Sequence, residues 1–191
     1  MSADPYFIPG TTTLRNLAGI INEDTLAEYV REASAVRLFE LDANPLDLPL
    51  DFKYLLAIHQ HIFQDVFTWA GRIRTIGMSK GTTQFEWPER IERYANTLFD
   101  ELRDEQYLVG LARDEFIARA AHYLNEINVL HPFREGNGRA QRAYFDHLAA
   151  KAGFAFQWSN VTPKEMIDAS IHGFAVDTEL FEDVLNRCLL D

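Results

Sequence analysis

Twelve consecutive residues, His131-Pro132-Phe133-Arg134-Glu135-Gly136-Asn137-Gly138-Arg139-Ala140-Gln141-Arg142, gather the parts of a phosphate-handling site. His131 can accept a proton near neutral pH. Gly136 and Gly138 carry no Cβ, so their backbone N–H groups can turn toward an anion without obstruction. A helix beginning near Gly138 would add its unpaired first-turn N–H groups at the same point. Arg139 and Arg142 lie three apart and on that helix share a face, where they could grip phosphate oxygens. Glu135, the only acid of the run, is placed to hold Mg²⁺ between those phosphates.

The remaining candidates are weaker. His59 and His61 point apart on a helix, and no cysteine or carboxylate completes a metal set around them, so a structural or surface role is expected. His122, His147 and His172 are scattered. Trp69, Trp87 and Trp158 read as packing residues. Cys188 is alone, which removes any disulfide framework and points to a buried thiol in a reducing compartment.

The elements that must carry the run are helices. Residues 24–42 set Leu26, Tyr29, Val30, Ala33 and Val36 on one face, and residues 51–68 do the same with Leu55, Ile58, Ile62 and Val66. Pro88 suits a first helical position ahead of Ile91, Tyr94, Leu98 and Leu102. A helix over about 112–129 presents Phe116, Ala120, Tyr123, Leu124 and Ile127, then delivers the chain to His131. Residues 138–152 read as helix closed by Gly153. Thr162-Pro163-Lys164-Glu165 is a capping box that opens another helix, ended by Gly173, and Asp177 caps a last one through Leu190. One segment breaks the rule: residues 72–85 alternate through Ile73, Thr75, Ile76 and Met78, turn at 79–82 and resume at Gln84-Phe85, the pattern of a short hairpin.

The twelve-residue run resembles the signature of the Fic family, His-x-Phe-x-(Asp/Glu)-Gly-Asn-Gly-Arg-x-x-Arg, at every specified position. The likeness extends to Tyr6-Phe7-Ile8-Pro9-Gly10-Thr11 with Leu14-Arg15-Asn16, and to residues 58–74, Ile58 through Arg74. It implies an all-α Fic fold, a helical bundle with a β-hairpin flap at about 72–85 over a signature loop at 131–142, in one Fic domain spanning 1–191. It further implies adenylylation: transfer of AMP from ATP to a tyrosine, serine or threonine hydroxyl of a target protein. His131 would be the base, and Gly136, Asn137, Gly138, Arg139 and Arg142 would hold the ATP phosphates, Asn137 by an amide N–H. Glu135 would hold Mg²⁺, Phe133 would anchor the loop, and Ile76 or Met78 of the flap would grip the target. Two alternatives stand beside it. A Doc-like kinase would transfer the γ-phosphate, but that branch carries lysine near the second glycine, where this chain has Gly138. An inactive binding scaffold would be expected to lose the histidine or an arginine, and this chain keeps them.

Members of this family are commonly restrained by a (Ser/Thr)-x-x-x-Glu-(Gly/Asn) motif whose glutamate meets the second arginine, here Arg142. Thr97–Glu101 and Thr178–Glu182 approach that pattern without its final residue, and both fall on amphipathic helices. The implied form is a toxin-like enzyme inhibited by a separate antitoxin. With 191 residues, 47% hydrophobic and 25% charged, the chain suits one globular domain. Its net charge of −11 disfavours direct nucleic acid or anionic membrane binding. No signal peptide or spanning segment is evident, so a cytoplasmic location is expected, with delivery into another cell left open.

Overall fold

The computed structural model describes residues 4–81 and 83–190. Among them seven helices run as α1 (Glu23–Ala43), α2 (Phe52–Phe63), α3 (Pro88–Asp104), α4 (Arg113–Leu130), α5 (Asn137–Ala152), α6 (Pro163–Ala175) and α7 (Glu179–Cys188). A two-stranded antiparallel hairpin, β1 (Ser79–Lys80) and β2 (Thr83–Gln84), lies between α2 and α3. Helix ends follow local chemistry. Asn22 and Asp51 accept the N–H of Thr25 and Tyr54, Pro88 fills the first turn of α3, and Thr162 with Glu165 closes a reciprocal box. Gly153, left-handed at φ 89°, ends α5.

Helix α4 is the axis of the bundle. Phe116, Ala120, Tyr123, Leu124 and Ile127 are all buried on it, and it packs against α3, α5, α6 and α7. Helix α5 is clasped between α2 and α4. The loop between α4 and α5 is therefore anchored at both ends in the core, the arrangement that can fix a constellation of side chains.

Several expectations are corrected. Helix α2 stops at Phe63 rather than 68, because Val66 and Phe67 turn back onto the Phe63 carbonyl and the Val66 carbonyl accepts from Leu17. Val36 is 60% exposed; the inward stripe of α1 is Leu26, Val30, Ser34 and Leu41. Gly173 does not end α6. It sits in the helix where a Cβ would come within 2.5 Å of Asn125 Oδ1 and 2.9 Å of the Phe181 ring. Thr178 is the N-cap residue of α7, with Asp177 accepting the Glu179 N–H, and that helix ends at Cys188. The hairpin is shorter than its alternation suggested. Ile73, Thr75, Ile76 and Met78 lie outside the strands, because Arg74 turns inward and draws the backbone into a loop. Thr82, at the tip, lies outside the described residues.

Candidate active site

His131 ends α4 in the left-handed region, at φ 43° and ψ 60°. For a side chain with a Cβ this costs about 1–2 kcal/mol and calls for support. Support comes from its N–H on the Ile127 carbonyl at 3.1 Å and from Arg74 Nε, which donates to its carbonyl at 2.7 Å. The imidazole stacks on Phe85, centroids 3.8 Å apart and 11° from parallel. Burial, reinforced by the charges of Arg74 and Lys80, pushes its pKa down to about 3, with the Asn128 carbonyl opposing. The ring is thus neutral at physiological pH. Nδ1 is buried and has no hydrogen-bond partner among the described residues.

The loop that follows is held by backbone bonds. Asn137 Oδ1 accepts the Phe133 N–H at 2.9 Å, and its Nδ2 donates to the Phe133 carbonyl at 2.8 Å. The Asn137 side chain, 5% exposed, thus latches the loop to itself. Phe133 is buried as expected and stacks on His59 at 3.7 Å. His59 is fully buried. Its Nδ1 accepts the Gly71 N–H at 2.9 Å, so its Nε2 carries the proton and donates to the Glu135 carbonyl, also at 2.9 Å. Burial lowers its pKa to about 4, consistent with the neutral form those bonds require.

Gly136 caps α5 at φ 83°, and a Cβ there would fall 2.3 Å from the Phe63 ring. Glycine is demanded twice, by conformation and by space. Helix α5 begins one residue earlier than expected, at Asn137. Its unpaired first-turn N–H groups open on a groove lined by Met78, Lys80, Phe85, His131, Gly136, Gly138, Arg139 and Arg142.

The two arginines differ. Arg139 reaches back, with Nη1 2.9 Å from Ser34 Oγ on α1, Nη2 3.1 Å from Glu135 Oε1 and the guanidinium 4.7 Å over the Phe63 ring. These contacts hold the Arg139 guanidinium against α1 and Glu135. Arg142 makes no hydrogen bond or ion pair among the described residues and borders the groove and both flanking cavities. A Cβ on Gly138 would meet Arg142 Nη1 at 3.4 Å, an ordinary contact, so the space here does not itself demand glycine.

Beside the groove lies a cleft with an apolar wall, Leu124, Pro163, Met166, Ile167 and Ile171, and polar groups from Asn128, Gln141 and Ser170. Helix α6 supplies most of that wall, which sequence reasoning missed because an exposed Ile on an amphipathic helix carries no signal of its own. Lys80, Phe85 and Arg74 were also missed. On the flap, Met78 lines the groove, whereas Ile76 packs toward the core, a distinction between the two candidates that the sequence left open.

The comparisons with known proteins agree with this geometry. Residues 49–149 match the model of the Fic/DOC family. The chain is 39% identical over 186 residues to the "Probable protein adenylyltransferase Fic" of Salmonella typhimurium, covering 97% of this chain and 92% of that one. It is 36% identical to "Protein adenylyltransferase VbhT" of Bartonella schoenbuchensis, over its whole length but only 40% of that larger protein. The BepC protein of Bartonella tribocorum, solved with bound AMPPNP, superposes with a TM-score of 0.90 at 26% identity, covering 97% of this chain and 96% of that one. The fold and loop define a helical bundle in which a glycine-containing loop leads from one core helix into the start of the next. The chain belongs to the Fic/DOC family.

Proposed function

We propose that this protein is an adenylyltransferase that moves AMP from ATP to the hydroxyl of a tyrosine, serine or threonine on another protein. The observation that carries the reading is a neutral, half-buried His131 facing the start of α5 across a groove bordered by Arg142, which has no partner among the described residues. The curated relatives above carry the names of protein adenylyltransferases, and the BepC neighbour was solved with a bound ATP analogue. All 191 residues act as one domain in this reading, and its cytoplasmic setting supplies the ATP.

A protein hydroxyl is a poor nucleophile, tyrosine included with a pKa of about 10, and needs a positioned base. His131 takes the hydroxyl proton as the oxygen attacks the α-phosphorus. The bond from that phosphorus to the α,β-bridging oxygen breaks, and pyrophosphate leaves. Phosphate charge nearby raises the proton affinity of His131 from its low resting value, so the base strengthens when ATP is bound. Negative charge gathering on the α-phosphate and the departing pyrophosphate is met by the backbone N–H groups of residues 137–139. Arg142 clamps the terminal phosphates, while Arg139 holds Glu135 in place and adds its charge from behind. The cleft against α6 takes the nucleoside.

Glu135, with its side chain 46% exposed at the groove, fits a magnesium ion that takes its other ligands from phosphate and water. Bound there, Mg²⁺ would neutralise phosphate charge. Regulation follows from Arg142. Glu182 accepts from its own Thr178 at 3.0 Å and so is committed locally. In this reading the inhibitory glutamate is supplied by a separate antitoxin carrying the (Ser/Thr)-x-x-x-Glu-(Gly/Asn) motif.

His131→Ala should lower AMP transfer by at least about a thousandfold while MgATP affinity stays within about threefold, because the base acts only in the transition state. Transfer within tenfold of wild type would remove His131 from that role. The mass added to the target, AMP or phosphate, separates adenylylation from phosphorylation.

A further inference from the structure

Arg74 is buried to 1% exposure, and its hydrogen bonds go to main-chain carbonyls rather than to a carboxylate. Nε donates to His131 at 2.7 Å and Nη1 to Ile76 at 2.6 Å, while Nη2 donates to Glu86 and, at 3.4 Å, to Leu130. Ile76 precedes β1 and Glu86 follows β2, so one guanidinium grips both legs of the hairpin and the backbone of His131. Main-chain bonds repeat the connection on either side of the histidine. The Arg74 N–H meets the Pro132 carbonyl at 2.8 Å, and the Glu86 N–H meets the Val129 carbonyl at 3.1 Å. Phe85, next to Glu86, is the ring stacked on the imidazole.

A buried charge is expensive unless polar groups surround it, and a methionine or leucine would fill the same space without that cost. The carbonyls gathered here are those of the strained residue and of the hairpin legs. We infer that Arg74 is a positioning residue for AMP transfer, locking both legs of the hairpin to the His131 backbone so that flap and base move as one body. The inference rests on His131 being the base.

The node also sets a fixed positive charge near the imidazole. Around His131 stand Arg74 and Lys80 from the flap segment, Asn128 and Leu124 from α4, Glu135 from the loop and Arg142 from α5, with α6 presenting mainly apolar groups. Two substitutions separate geometry from charge. Arg74→Lys keeps the charge and loses the planar fork. Arg74→Gln keeps part of the hydrogen bonding and loses the charge.

The test measures kcat across pH at saturating MgATP and target for wild type, both variants and His131→Ala. Arg74→Lys should lose roughly tenfold to a hundredfold in kcat, with the KM for ATP changed less than threefold and the acid limb of the profile unmoved. Arg74→Gln should lose kcat and also carry its acid limb about half a pH unit or more upward, since a removed cation favours protonation. Full kcat in Arg74→Lys, or an unmoved limb in Arg74→Gln, overturns the inference while leaving the base in place. Substantial transfer by His131→Ala overturns the base assignment instead. Hydrogen exchange on the wild-type protein needs no variant to fold. The amides of Arg74, Glu86 and His131 should open at one common rate, and a Glu86 amide that exchanges tenfold faster than that of His131 would show flap and base to be uncoupled.

Discussion

At the scale of single residues, the site depends on groups that have little freedom to change. Gly136→Ala meets two penalties at once, a left-handed backbone at φ 83° and a methyl 2.3 Å from the Phe63 ring. The expected cost is about 2–5 kcal/mol, from strain and overpacking together, with transfer activity lost alongside. A thermal melt within two degrees of wild type would show that Phe63 yields easily. Asp146 on α5 offers a pH signature. It accepts from Trp158 Nε1 at 2.7 Å, and burial pushes its pKa up to about 7, with Asp42 adding to the rise and Arg142 opposing it. An unfolded aspartate titrates near about 3.9. The native state therefore binds the extra proton between those values, and the stability it brings is complete below pH 4 and lost as pH rises through 7. Asp146→Asn keeps the acceptor for Trp158 and removes the titration. The melting curves of the two proteins should diverge from pH 4 to 8 in favour of the asparagine form, by an amount on the order of 2–4 kcal/mol. Parallel curves over that range would refute the assignment.

At the scale of elements, the flap divides its labour between two side chains once read as equivalent. Met78 borders the groove, and Ile76 packs toward the core beside the Arg74 node. Met78→Ala should lower target modification several-fold with melting temperature and MgATP affinity nearly unchanged. Ile76→Ala should instead lower stability, by roughly 1–3 kcal/mol for a half-buried aliphatic chain. The reverse pairing in calorimetry and transfer assays on the two single mutants would mean that the groove is not where targets sit. The strand pairing itself is brief, Ser79 with Gln84 and Lys80 with Thr83. Its position rests on the bonds at its base rather than on its own ladder, since a short isolated hairpin is marginal in water.

At the scale of the whole molecule, Arg142 borders the groove with no partner among the described residues, while Glu182 on α7 accepts from Thr178. The isolated chain should therefore modify its target without activation, and Glu182→Gly should leave the rate within about twofold. A rise of tenfold or more would place an inhibitory contact inside this chain. Adding a helical partner that carries the glutamate should quench wild-type transfer, and an Arg142→Ala protein should no longer depend on that partner. Among the described residues no helix is long and apolar enough to cross a membrane.

Much of this protein was legible along the chain. The helices announced themselves through periodic Leu, Ile and Phe and through caps such as Thr162–Glu165 and Gly153, because those signals act over three or four residues. The signature run gave the residue types and order of the loop, and with them the family likeness. What it could not give was the use of each side chain, which depends on partners far away in sequence. Asn137 and Arg139 have the same types whether they meet phosphate or the protein; folding put Phe133 against the first and Ser34 with Glu135 against the second. Arg74 drew no reading of its own and His59 was given only a structural or surface role, and tertiary contacts 57 and 76 residues away are what placed them beside His131 and Glu135. The apolar wall of α6 arose in the same way, since an exposed isoleucine becomes part of a cleft only when another element stands opposite it. Local patterning determines which elements form, and long-range packing decides which of their side chains are left free to do chemistry.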